Sequence, residues 1–212
     1  MRPVVALIVA ILFAFALQAQ EKRVSPQESR ILLLVPYLED VSPAYQHLGW
    51  NTRASVETAY AGLARANSAP SRAQVYLHQT APLTYWRTGS ALDQGWIRTS
   101  FPFFKDKAVQ VTSPAPPPGS FMRVARFEVD GTKCAAFELR HVTNDTGTPT
   151  VEQRQSVSGI YCPPANVALD DALIQRVLEG IFVRREGRVE RALTGVDKPV
   201  PAAILRSTQR QG

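Results

Sequence analysis

The chain has 212 residues, 45% of them hydrophobic and 20% charged, a balance that excludes a disordered polymer and allows a sizeable core. Its formal charge of +6 is concentrated at one end: after Val183, seven arginines and lysines face three acids. The body is therefore close to electrical balance, which argues against a nucleic-acid-binding surface.

Residues 1–19 have the three-part form of a secretory signal peptide. Arg2 supplies the positive start, residues 4–17 are an uninterrupted apolar run, and Leu17-Gln18-Ala19 offers a cleavage site after Ala19. The apolar run is shorter than the roughly 20 residues a membrane span needs. No later stretch is long and apolar enough, so the mature chain is expected to carry no transmembrane span. The expected location is the periplasm or the extracellular space. Arginine-rich, alanine-rich usage points to a bacterial source.

Ser25-Pro26-Gln27-Glu28 has the form of a capping box, which predicts a helix from Pro26; the rival reading is a buried strand at residues 31–35. Ser42-Pro43 repeats the device and predicts a short helix over residues 44–48. Val56, Ala59, Tyr60, Leu63 and Ala64 recur at helical spacing, predicting a helix over 55–67. Residues 72–79 alternate in the strand manner, with Val75 and Leu77 on one side and Tyr76 and His78 on the other. Residues 82–104 are crowded with aromatics and broken by Gly89, Gly95, Pro82 and Pro102, a pattern of turns and short elements. A short strand is expected at 108–112, followed by a proline-rich, extended stretch at 113–120.

Residues 121–162 read as three antiparallel strands. Asp130-Gly131 is a type I′ turn signal between strands 121–129 and 132–142, and a polar loop at 144–150 reverses the chain into 151–162. The first turn sets Phe127 opposite Cys134. Centring the second reversal near Thr148 sets Cys134 opposite Cys162, so the register that pairs the strands also pairs the only two thiols. With an exported context, a structural disulfide is expected. Leu173, Ile174, Val177, Leu178, Ile181 and Phe182 then form an apolar helical stripe over about 168–183. Met122, Val124, Phe137, Leu139, Val157 and Tyr161 offer one sheet face to that stripe. Phe127, Val129, Ala125, Ala136, Ile160 and the cysteines occupy the other.

The expected fold is α+β: a three-stranded antiparallel sheet (about 121–162) covered by a C-terminal helix (about 168–183) and packed with a mixed helical and strand N-terminal lobe. The expected organisation is a signal peptide at 1–19, that lobe at 20–111, a spacer at 112–120, the disulfide-linked lobe at 121–186 and a basic flexible tail at 187–212.

Motifs of catalysis are missing. The three histidines, His47, His78 and His141, sit at no metal-ligand spacing, and the sequence has no Gly-x-Ser-x-Gly, Ser-x-x-Lys, phosphate loop or dinucleotide fingerprint. No metal, cofactor or catalytic residue is assigned. A Ser–His–acid group assembled only in three dimensions stays open. Tyr85, Trp86 and Trp96 with Arg87 and Arg98 are the candidate ligand-binding residues, able to stack on a flat ligand and hold an anion. Arg184, Arg185, Arg188 and Arg191 are candidates for contact with an anionic envelope component or another envelope protein. The composition and patterning favour an exported binding protein over the alternative, a small secreted hydrolase-type enzyme.

Overall fold

Asp130 and Gly131 adopt φ of 50° and 73°, the pair of positive values a type I′ turn requires, and join strand β7 (Met122–Val129) to β8 (Thr132–His141). A computed structural model describes residues 22–50, 54–62, 72–80, 91–116, 122–141, 155–185, 188–193 and 198–209. The predicted register holds: Phe127 faces Cys134 across the hairpin. β9 (Gln155–Cys162) pairs with β8 so that Ala135 faces Tyr161, which brings the next residues, Cys134 and Cys162, together as a disulfide. Their Cα atoms lie 4.3 Å apart, the close spacing of a non-hydrogen-bonded antiparallel pair.

The expected α+β fold, a three-stranded sheet under a C-terminal helix, is corrected to a mostly β fold in which those strands are part of a much larger sheet. β1 (Lys22–Val24), β3 (Ala44–Trp50), β4 (Ala54–Gly62), β5 (Arg72–Thr80) and β6 (Val109–Ser113) join it, in the order β1-β3-β4-β5-β9-β8-β7-β6. All neighbours are antiparallel. The N-terminal segment therefore enters the same sheet through the β5–β9 pairing. A second sheet orders β2 (Ile31–Leu33), β10 (Ile181–Arg185) and β11 (Arg188–Arg191) as β11-β10-β2.

Three predicted helices are strands or turns, each for a visible reason. Ser25 and Glu28 do form the reciprocal capping bonds, Glu28 N–H to Ser25 Oγ at 3.3 Å and Ser25 N–H to Glu28 Oε2 at 3.0 Å. One turn follows, and then Ile31–Leu33, fully buried, pairs with β10, so the rival strand reading prevails. The segments expected as helices at 44–48 and 55–67 form β3 and β4, because β4 is paired on both sides and sheet pairing overrides local propensity. Residues 63–67 of that segment lie outside the described residues. The C-terminal helix is shorter than expected: α2 (Asp171–Glu179) starts at the Asp170 cap, which accepts from Leu173 N–H at 2.7 Å, and Gly180 ends it. Ile181, Phe182 and Val183 then turn into β10, a buried strand.

The large sheet has two covered faces. Ala135, Phe137, Leu139, Val157 and Tyr161 pack with Leu173, Ile174, Val177 and Leu178 of α2 and with the small sheet. Arg126 binds the helix start, donating to Leu169 O at 2.8 Å and meeting Asp171 at 2.5 Å. The opposite face carries Ala125, Phe127, Val129, Ala136, Ile160 and the disulfide, and is covered by α1 (Gln94–Ser100) and the 3-10 turn Pro102–Phe104 through Ile97, Phe101 and Phe104. Ala115, in the proline-rich stretch, packs at its margin, and Arg123 Nε donates to Pro116 O at 2.8 Å; residues 117–120 lie outside the described residues. Of the residues expected to form a tail, 188–191 form β11, and α3 (Ala202–Gln209) sets Ile204 into the core. No helix among the described residues is long and apolar enough to cross a membrane. The signal-peptide segment, 1–19, lies outside the described residues.

Candidate functional site

Alternation along the strands builds one cross-strand row at the end of the sheet beside the β7–β8 turn: Phe127, Cys134, Cys162 and Arg72 on four neighbouring strands. The 3-10 turn is seated over it. Phe104 is buried and packs edge-on against Phe127, ring centroids 5.5 Å apart, whereas Phe103 is 46% exposed. The Arg72 guanidinium lies over the Phe103 ring, 3.1 Å from its centroid. Lys107 closes one side through an ion pair with Asp130 of the turn at 2.7 Å. Between these groups and the disulfide is an open cleft of about 280 Å³.

Arg72 is only 5% exposed. Taking a guanidinium out of water costs several kcal/mol, and a desolvated cation–π contact returns about 2 kcal/mol or more; further interactions of Arg72 share the rest. A flat, permanently charged fork is thus held beside an aromatic ring at an accessible hollow.

A second polar group lies four residues further along the same face. Arg123 and Glu138, 3% and 4% exposed, pair at 3.0 Å. Glu138 faces Ser158 across the β8–β9 ladder, and Ser158 Oγ lies 3.1 Å from His78 Nε2. Burial lowers the His78 pKa from its ordinary value of 6.5, while the Glu138 charge works against that shift. Beside it the Tyr76 hydroxyl donates to Ser100 O at 2.7 Å and accepts from Gln74 at 2.8 Å, and burial pushes its pKa up to about 12. Serine, histidine and carboxylate are therefore neighbours. Yet Ser158 is 2% exposed in mid-strand, paired on both sides by β5 and β8. Its neighbouring backbone belongs to those two ladders, so that stretch offers no strained turn of amides for an oxyanion. The group is best read as a satisfied polar layer within the sheet.

The sequence candidates are scattered. Trp96 packs edge-on against Phe101, centroids 5.2 Å apart, and Arg98 Nε donates to Lys105 O at 3.2 Å; neither lines the cleft. Tyr85, Trp86 and Arg87 lie outside the described residues. Arg184 donates to Pro26 O at 3.1 Å, Arg188 is exposed, and Arg185 pairs with Arg188 in the β10–β11 ladder. Arg191 is committed to carbonyls: it donates to Glu179 O and to Pro199 O, and its guanidinium lies 5.1 Å from the Phe182 ring centroid. Sequence reasoning assigned none of Arg72, Phe103, Lys107 and Asp130 to a site. The signals that pointed towards them were the cysteine row with the Asp130-Gly131 turn, which fix the end of the sheet, and the aromatic density of residues 82–104. Among the described residues no group of three His, Cys, Asp or Glu side chains is placed to hold a metal ion. No protein-family model, curated protein or solved structure matches the chain.

Proposed function

We propose that this is an exported, periplasmic or extracellular bacterial protein that acts by binding, without catalysis, and that its ligand enters the cleft beside the disulfide. The observation that carries the binding reading is the half-exposed Phe103 ring stacked with Arg72 at the wall of an open hollow. Concave sites with an apolar wall and few fixed polar groups are where small ligands bind. Export is supported by the leader at 1–19 and by a disulfide of the kind that persists in oxidising compartments. A mixed fragment screen on the oxidised chain, followed by NMR, tests the binding reading: hits should shift resonances around Phe103 and Lys107. A screen with no hit in the cleft overturns it. Fusion of residues 1–30 to a periplasm-dependent reporter enzyme should give activity, and an inactive fusion overturns export.

The contact between His78 and Ser158 favours a second reading, a small secreted hydrolase-type enzyme. A fluorophosphonate probe decides between the two. The binding reading expects no adduct, and labelling of Ser158 would install the hydrolase in its place.

A further inference from the structure

We propose that the cleft takes an uncharged, apolar ligand about the size of one aromatic ring. This rests on the binding reading above and names its ligand class. The volume of about 280 Å³ lies at the low end of ligand pockets, room for one ring with a short arm. Phe103, Phe104, Val129 and the disulfide supply apolar wall for such a ring. Phe103 stays 46% exposed even with a guanidinium over its ring, so a ligand seated beside it takes apolar surface out of water.

The charged groups of the cleft decide the charge of its ligand. Arg72, Lys107 and Asp130 line it, and each already has a partner. Arg72 is buried over the Phe103 ring and makes further interactions. Lys107 and Asp130 bind each other at 2.7 Å and stay 40% and 55% exposed, so water also serves them. An ionised ligand gives up hydration against the apolar wall and must compete with these partners to regain it. An uncharged ligand leaves every one of them in place. A ring suits the wall better than an open chain, because it packs on aromatic neighbours and has little conformational entropy to lose.

NMR titration of the oxidised chain with benzyl alcohol, benzoate and benzylammonium tests this, the three probes sharing one ring and differing in charge. The alcohol should bind about tenfold more tightly than either ion, because only the ions lose hydration without a new partner. Its affinity should not fall as salt rises, since no ion pair is formed. Phe103→Ala should weaken the alcohol about twofold to tenfold, the worth of one aromatic contact. The comparison of probes needs no variant, so it stands even if Phe103→Ala loosens Arg72. An ion that binds as tightly as the alcohol, or more tightly, overturns the ligand class while leaving a binding cleft. Alcohol binding that Phe103→Ala leaves unchanged places the ligand elsewhere and overturns it too. Silence from all three probes also overturns it, and the fragment screen then decides separately whether the cleft binds anything.

Discussion

Alanine at Gly180 sets two effects of opposite sign against each other. The residue has φ −86° and ψ 5°, a conformation open to any amino acid. On backbone entropy alone, Gly→Ala at such a site stabilises by about 0.4–1 kcal/mol. Space decides otherwise. A Cβ built on Gly180 stands 2.0 Å from the Leu34 carbonyl oxygen and 2.9 Å from its carbon. A carbon normally approaches a carbonyl oxygen no closer than about 3.3 Å, so a displacement of about 1 Å is needed. Neither chain can retreat freely, because the Leu34 amide donates to Gly180 O at 2.8 Å and continues the β2–β10 pairing. Overpacking costs about 1–3 kcal/mol, and a backbone neighbour puts this site at the upper end. Net of the entropy gain, Gly180→Ala should destabilise by about 2–2.6 kcal/mol. At about 2 kcal/mol per molar urea, the unfolding midpoint of the oxidised protein falls by about 1–1.3 M. Gly159→Ala is the internal comparison. Its Cβ meets the backbone Gln74 O and Phe137 Cζ, both at 2.7 Å, so the displacement needed is about half that at Gly180 and the loss should be smaller. A midpoint unchanged or raised in Gly180→Ala would show that β2 does not lie against the end of α2.

The disulfide closes a loop between residues 28 positions apart, so Cys134→Ala with Cys162→Ala should lower stability by about 3–4 kcal/mol in urea titrations; a loss under about 1 kcal/mol means that the unfolded chain already keeps β8 near β9. His78 should give stability a pH dependence. Its folded pKa lies below 6.5, so the folded state binds fewer protons than the unfolded one, and stability falls as pH drops through 6.5 towards the lowered value. Thermal midpoints from pH 7.5 to 5.5 should therefore fall in the parent and stay flatter in His78→Gln, and equal slopes refute the assignment. For the buried Arg123–Glu138 pair, Glu138→Leu alone should cost about 3–5 kcal/mol by stranding a cation, whereas the double variant with Arg123→Met recovers most of it. A double-mutant cycle measures this, and additive losses would mean that the two charges do not support each other.

Sequence reasoning reached the part of the fold where local chemistry has only one solution. Asp130-Gly131 takes φ values that few other pairs tolerate, so the hairpin and its register follow from two residues, and the thiols fall into line behind them. It failed where apolar residues recur at helical spacing but distant partners decide the backbone. Val56, Ala59 and Tyr60 fit a helical face, but β3 and β5 offer this chain two ladders of hydrogen bonds, and a helix would have left each of those strands unpaired along one edge. The Ser25–Glu28 cap shows the same priority from the other side. Its bonds form as written, yet they hold one turn only, because Ile31–Leu33 gains complete burial by pairing with β10 more than a hundred residues away.

The cleft was harder still to read, and for a different reason. Arg72 at the start of an alternating strand, Lys107 before another and Asp130 in a turn are ordinary surface residues in isolation. What makes them a site is that β5 pairs with β9, a non-local choice that sets Arg72 next to Cys162, and that the turn Pro102–Phe104 is seated on the same row. Aromatic density alone pointed to residues 82–104, and that segment does contribute the ring that matters. Burial, however, divides its members in a way composition does not record. Phe101 and Phe104 face the sheet and become core, while Phe103 between them is turned outward, half-exposed, with a guanidinium on its face. A 3-10 turn, with three residues per turn, must send neighbouring side chains in different directions. Two residues that look interchangeable in the sequence thereby acquire different surroundings, one buried in the core and the other facing the cleft.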